Sequence, residues 1–312
     1  MTDATTTRVG WIGTGRMGAA MAARLADAGV DVTAWNRTIA KAEPLKEHGA
    51  SLAESLGALR DRDVVFTMVS TASVLEKVLF GDDGLLTGDE LPGVVIDSST
   101  VSVESSAEVR RACAERGVAY LAAPVSGNPK VARAGALSLV VSGDRETYDQ
   151  VAPLLERLGR SVTYVGEGET ARLVKIAHNL MLGVVTQTLA EITVLAEKGG
   201  VQRHAFLEFL NDSVMGSAFT RYKSPAFVHL DYTPTFTPIL LRKDFDLGLT
   251  AARALDVPMP VTALTAQLIQ ASVGTGRVDE DFAVLLDLQA AASGLRLEPE
   301  DVAVDDGLGR PS

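Results

Sequence analysis

Six residues near the start of the chain, Gly13-Thr14-Gly15-Arg16-Met17-Gly18, place glycines at the three fixed positions of a G-x-G-x-x-G turn. They follow the apolar run Arg8–Gly13 (RVGWIG) and open a helical pattern, Met17–Ala28. In that context each glycine has a distinct use. Gly13 permits the tight turn, Gly15 lets backbone approach a pyrophosphate, and Gly18 lets helix and strand pack closely. The helix N-terminus adds unpaired N–H groups and the positive end of its dipole. A second β-rich run, Asp31–Trp35, ends on Asn36-Arg37-Thr38. A site for an unphosphorylated ribose wants a carboxylate there, and none is present. Arg37 offers a fork of donors to a 2′-phosphate, and Asn36 and Thr38 add hydrogen bonds. The expected cofactor is therefore NADP(H) rather than NAD(H).

The second candidate is Lys175, set among Leu173, Val174, Ile176 and Ala177. A lysine in apolar surroundings loses hydration, which suits it to proton transfer near neutral pH. Asn179 lies four residues on, on the same helical face. From spacing alone, a lysine carrying its head out to solvent is the better reading. His178 is read as a packing residue. The loop Pro124-Val125-Ser126-Gly127-Asn128-Pro129 offers the Ser126 hydroxyl and the amides of Gly127 and Asn128 to a carboxylate. A plain Pro/Gly turn explains it equally well. There is no Ser/His/Asp order, no G-x-S-x-G, no H-E-x-x-H and no zinc spacing.

These residues need elements to hold them. Short β-rich runs at Arg8–Gly13, Asp31–Trp35, Val64–Val69, Val94–Asp97 and Ala119–Leu121 alternate with helical patterns at 17–28, 38–48, 51–60, 73–79 and 103–116. That alternation predicts an α/β Rossmann-type fold, a doubly wound parallel sheet. Leu137–Ser142 and Val162–Val165 are expected to extend the sheet. From Gly168 to Gly199 one long helix is predicted, too broken by polar residues to span a membrane, and further helices follow to residue 292. The expected domains are a cofactor-binding domain over 1–166 and an all-α C-terminal domain over 167–295, joined by that helix. The acidic, aperiodic tail 296–312 is expected to be disordered. The chain has 312 residues, 46% hydrophobic, with a net charge of −11, which disfavours nucleic acid as a partner. The lone Cys113 and the absence of a signal-like start point to a reducing, cytoplasmic setting.

Several blocks together resemble the β-hydroxyacid dehydrogenases, the family that includes 3-hydroxyisobutyrate dehydrogenase, with motifs most similar to the glyoxylate/succinic semialdehyde reductase branch. They are Val9–Leu25 (VGWIGTGRMGAAMAARL), Asp97-Ser98-Ser99-Thr100, Ala123-Pro124-Val125-Ser126-Gly127, Lys175 with Asn179, and Lys243-Asp244-Phe245. They stand in family order over roughly residues 8–295. The resemblance implies Lys175 as catalytic acid/base with Asn179 as its helper, which displaces the solvent-facing reading. It implies Val69, Thr100 and Lys243 at the cofactor, with Asp244 beside Lys243. Ser126, Gly127 and Asn128, together with Lys175 and Asn179, would hold a small carboxylate-bearing substrate. It also implies a dimer or tetramer formed through the helical domain. Asn128 and His178 depart from the commoner Gly and Asn. An imine reductase on a similar scaffold and a non-catalytic NADP-binding scaffold are the alternatives; Lys175 argues against the first, and Lys175, Asn179 and Lys243 together against the second.

Overall fold

The computed structural model describes residues 6–307. The chain divides into two compact units, up to Ile176 and from Ala177 on, so the division falls inside a helix, beyond the boundary read at 166/167.

In the first unit, β1 (Arg8–Ile12) leads into α1 (Arg16–Asp27), followed by β2 (Asp31–Trp35), β3 (Ser51–Leu52), β4 (Val64–Thr67), α2 (Ala72–Phe80), β5 (Val94–Asp97), α3 (Val103–Ala114) and β6 (Ala119–Ala122). These six strands form one sheet in the order β3-β2-β1-β4-β5-β6, and every pair is parallel. The central strands are mostly apolar because helices cover both faces, with Thr67 and Asp97 as buried polar residues at their carboxyl ends. One face packs α1 against Val9, Trp11, Val32, Phe66 and Ile96; the other packs α2 and α3 against Ile12, Val65, Val95 and Tyr120. Strand order reverses between β1 and β4, where such sheets open a crevice at their carboxyl ends.

Three expectations are corrected. Residues 38–48 and 51–60 are not α-helices. The first region holds two short 3₁₀ turns, the second strand β3 and a 3₁₀ turn at Leu56–Leu59. Pro44 lacks the N–H that a continuous helix through 38–48 would use. The later strands do not extend the main sheet. After β7 (Val125–Ser126) and α4 (Pro129–Arg133), β8 (Leu137–Val141), α5 (Arg145–Leu155) and β9 (Gly159–Tyr164) complete a separate sheet, β7-β8-β9. A single antiparallel bridge, Ala122 to Ser142, touches the first sheet.

Helix α6 (Thr170–Lys198) follows, and the second unit adds α7 (Arg203–Asp212), α8 (Ala218–His229), α9 (Pro238–Ala254), α10 (Pro260–Gly274) and α11 (Leu285–Ala292). By length and composition α6 could cross a membrane, but half of its most apolar window is buried, as in a core helix. Leu180, Leu189 and Val194 of α6 share a core with Phe227, Leu241, Phe245, Ile269 and Phe282.

The tail is a further correction. Leu297, Val302 and Val304 pack on that core. Glu300 accepts hydrogen bonds from Arg203 N (2.8 Å) and His204 N (2.9 Å), so a carboxylate from the tail caps the start of α7. Arg203, buried, donates to the carbonyls of Phe227, Val228 and Glu298. The remaining tail residues, 308–312, lie outside the described residues.

Candidate active site

The phosphate turn is shaped by β1 and β4. Gly13 has φ +96°, and a methyl group on it would lie 2.3 Å from the Met68 carbonyl oxygen. At Gly18 a methyl group would lie 2.1 Å from the Gly13 carbonyl oxygen. Both glycines are therefore required by the protein's own packing. Gly15 differs: its φ of −65° suits any residue, and nothing lies within 4 Å of where its Cβ would be. Its bareness serves no packing purpose and leaves room for a group brought in from outside. Beside it, buried Thr14 has a hydroxyl with no protein partner. An open glycine next to an orphaned hydroxyl at a helix N-terminus fits a pyrophosphate.

Two residues that sequence reasoning did not connect to the turn hold it in shape. Trp11, fully buried and stacked on Phe66 at 5.0 Å, donates its indole N–H to the Gly13 carbonyl (3.0 Å). Asn36 Oδ1 accepts from Thr14 N (3.0 Å), and Asn36 Nδ2 donates to the Thr38 carbonyl (2.8 Å). Asn36 thus ties the turn to the end of β2 and keeps one N–H for other use. Arg37 and Thr38 are exposed beyond it.

Loops after β4 and β5 lie next along the same edge of the sheet. Val69 N donates to Ser99 Oγ (2.9 Å), which joins the two loops. Ser99 Oγ (2.6 Å), Ser99 N (3.1 Å) and Thr67 Oγ1 (2.6 Å) all donate to Asp97 Oδ1. The other oxygen, Oδ2, accepts from Arg172 Nη2 at 2.6 Å. Asp97 and Arg172 are 0% and 1% exposed. Arg172 also reaches Ser106 Oγ (2.9 Å), Ser99 O (2.6 Å) and Tyr120 OH (2.9 Å). Burial opposes its charge, but the neighbouring Tyr120, Asp97 and Glu169 raise its pKa, so it stays a cation. Burial likewise pushes the Tyr120 hydroxyl far up, keeping it neutral. Breaking such a pair by removing one partner costs about 3–5 kcal/mol.

In the carboxylate loop, Gly127 has φ +136°, and any side chain there would press on Leu137 and Val131. Asn128 Oδ1 caps α4 by accepting from Val131 N (3.0 Å). Its Oδ1 is thereby committed to the helix, which leaves Nδ2 and the backbone N–H as its donors.

Lys175 stands on α6, one turn after Arg172, and is half-buried. Leu173 and Val174 are 40% and 44% exposed, whereas Ile176 is buried. Adjacent helix positions point in different directions, so the apolar residues beside Lys175 in sequence lie on more than one face of α6. Asn179, four residues on, belongs to the second unit. It is buried and donates from Nδ2 to Asp244 Oδ2 (2.5 Å), while His178 Nδ1 lies 3.0 Å from its Oδ1. Asp244 is itself 1% exposed, and Lys243 Nζ sits 3.3 Å from its Oδ1. The first unit contains the phosphate turn, Val69, Thr100, Ser126–Asn128 and Lys175. The second groups Asn179 with Lys243 and Asp244. Among the described residues no His/Cys/Asp/Glu group could hold a metal ion.

A doubly wound parallel sheet with a glycine turn at its switch point defines a dinucleotide-binding protein. Residues 8–166 match the model of the NAD-binding domain of 6-phosphogluconate dehydrogenase, and residues 166–289 match that of the NAD-binding domain of NADP-dependent 3-hydroxyisobutyrate dehydrogenase. The chain is 31% identical to 2-(hydroxymethyl)glutarate dehydrogenase of Eubacterium barkeri, over 92% of this chain and 96% of the relative. It is also 31% identical to glyoxylate/succinic semialdehyde reductase 2 of Arabidopsis thaliana, over 92% and 80%. The crystal structure of 3-hydroxyisobutyrate dehydrogenase from Salmonella typhimurium superposes with a TM-score of 0.82 at 25% identity, covering 90% of this chain and 99% of that one. The chain belongs to the β-hydroxyacid dehydrogenase family, the NAD(P)-dependent oxidoreductases of hydroxy acids.

Proposed function

We propose that this protein is an NADP(H)-dependent oxidoreductase of small hydroxy, aldehyde and keto acids, with Lys175 as the acid/base. The observation that carries the reading is the phosphate turn, where Gly15 is left bare without a packing reason and the Thr14 hydroxyl without a partner. Preference for the 2′-phosphate rests on exposed Arg37 after β2, where a carboxylate is missing. The description of the second matching family model agrees with it.

When bound, the nicotinamide supplies or takes up hydride at the substrate carbon. The chain's own residues do the rest. The Ser126 hydroxyl and the N–H groups of Gly127 and Asn128 take the substrate carboxylate. Lys175, as ammonium, gives its proton to the carbonyl oxygen as negative charge develops there; in the oxidative direction its neutral amine takes the proton from the hydroxyl. Asn179, held by Asp244, keeps one N–H for the same oxygen. Lys243, Val69 and Thr100 are assigned to the cofactor. Self-association through the helical unit is part of the proposal, supported by Met181 and Leu195, which leave α6 with exposed apolar side chains.

The test follows nicotinamide absorbance over a panel of hydroxy, aldehyde and keto acids, with imines as competitors. Lys175→Ala is expected to bind NADPH normally and to lose about 10²–10⁴ in turnover. Near-normal turnover in that variant would reject the assignment, and turnover of imines alone would replace the substrate class.

A further inference from the structure

Arg172 is absent from the catalytic and binding roles assigned above, yet it joins two of the regions that carry them. Its backbone lies in the first turn of α6, three residues before Lys175, so the two side chains leave neighbouring positions on that helix. Four donor contacts of its guanidinium run away from α6: to Asp97 Oδ2 and Tyr120 OH from Nη2, to Ser99 O from Nη1 and to Ser106 Oγ from Nε. The Ser99 carbonyl belongs to the peptide that enters Thr100. The Ser99 hydroxyl, fixed by Asp97, in turn receives Val69 N. One planar, fully buried cation thus sets the start of α6 relative to both loops assigned to the cofactor.

We propose that Arg172, with Asp97 as its anchor, is a positioning residue for proton transfer by Lys175. The proposal rests on the acid/base reading of Lys175. Its physical basis is that an acid/base on a helix is aimed by the helix's own placement, and misplacement of about 1 Å costs about 10² in rate. A helix end can slide or rotate, and a guanidinium with donors in a fixed fork resists both movements. A lysine at the same position keeps the charge but concentrates it on a single nitrogen and loses the fork. Tyr120 and Ser106 partner the guanidinium as neutral hydroxyls, Tyr120 also donating to Asp97 Oδ2 (3.4 Å), so trimming either should loosen the clamp without stranding a buried charge.

The experiment is a double-mutant cycle on turnover, using Arg172→Lys, Lys175→Ala and the combination, at saturating NADPH and with the acid turned over fastest in the panel. NADPH binding by fluorescence titration and the melting temperature are measured alongside. The expected result is that Arg172→Lys lowers kcat by about 30-fold or more while KM and NADPH affinity stay within about threefold. Added to Lys175→Ala, it should cost nothing further, because the group it aims is gone. Should Arg172→Lys fail to fold, Ser106→Ala and Tyr120→Phe take its place, each with a smaller loss of kcat that likewise vanishes without Lys175. A lowered melting temperature with unchanged kcat would make Arg172 a purely structural residue. A loss that multiplies in the Lys175→Ala background would show that it acts elsewhere. Normal turnover in Lys175→Ala alone would reject the acid/base reading itself, an outcome distinct from the first two.

Discussion

At Gly13 and Gly18 a methyl group would collide with the protein's own carbonyls, whereas at Gly15 it would meet nothing. The three glycines therefore make different predictions. Gly18→Ala is expected to lower the melting temperature, since backbone on both sides must move apart. Gly15→Val should cost no more than about 1 kcal/mol, the usual scale for a poorer residue at a helix start, while NADPH affinity falls at least about tenfold. Denaturant titration and fluorescence titration of each variant decide this; strong NADPH binding by Gly15→Val would remove the phosphate turn from the site. Arg37 belongs to the same scale. Replacing it by Asp should cost about 10–100-fold in NADPH affinity and narrow or invert the preference over NADH, because a carboxylate repels the 2′-phosphate and accepts from a free ribose hydroxyl. Unchanged discrimination in paired titrations would place the selectivity elsewhere.

Among the elements, α4 and α7 show side chains serving helix ends. Asn128 caps α4, so Asn128→Ala should lose about 1 kcal/mol. Asn128→Asp keeps a capping oxygen but adds negative charge at the loop proposed to bind a carboxylate. Its stability should hold while KM for the acid rises about tenfold or more. An unchanged KM would argue that substrate docks elsewhere. The helices that sequence periodicity marked at 38–48 and 51–60 turned out to be 3₁₀ turns and a short strand. Their apolar spacing reflects residues that must face the sheet, a requirement short turns meet as well as a helix.

Over the whole chain, the tail joins a helix nearly a hundred positions away in sequence. Burial would raise the Glu300 pKa, but hydrogen bonds from the His204 backbone and ring and from Arg203 N–H, with the Arg203 charge, hold it below the ordinary carboxylate value. A carboxylate depressed in the folded state contributes stability that is complete above its unfolded pKa of about 4.3 and is lost as pH falls through the lower folded value. The hydrogen-exchange protection factors of the Glu300 amide, bonded to the Val228 carbonyl, and of the Arg203 and His204 amides should therefore hold at neutral pH and fall below about pH 4. Glu300→Gln should exchange faster even at pH 7. Equal protection in the variant would mean that apolar packing alone holds the tail. The chain as a whole should also melt higher in the presence of NADPH, by about 2.7 kcal/mol of stabilisation at a hundredfold excess over Kd.

The reading from residues alone reached far where the physics is local. A glycine turn between a strand and a helix, the apolar strands that a two-sided sheet demands, and the missing carboxylate after β2 are written in consecutive residues. The long helix with Lys175 and Asn179 was legible for the same reason. What the chain order could not disclose was pairing across distance: Asn36 holding the Thr14 amide of the turn, Asp97 meeting Arg172 seventy-five positions away, and Glu300 capping α7. A buried charge declares its partner only when folding removes both from water, so nothing in the local pattern marks it beforehand. The tail likewise looked too polar to pack, because its few apolar residues gain their burial from a core built by other helices.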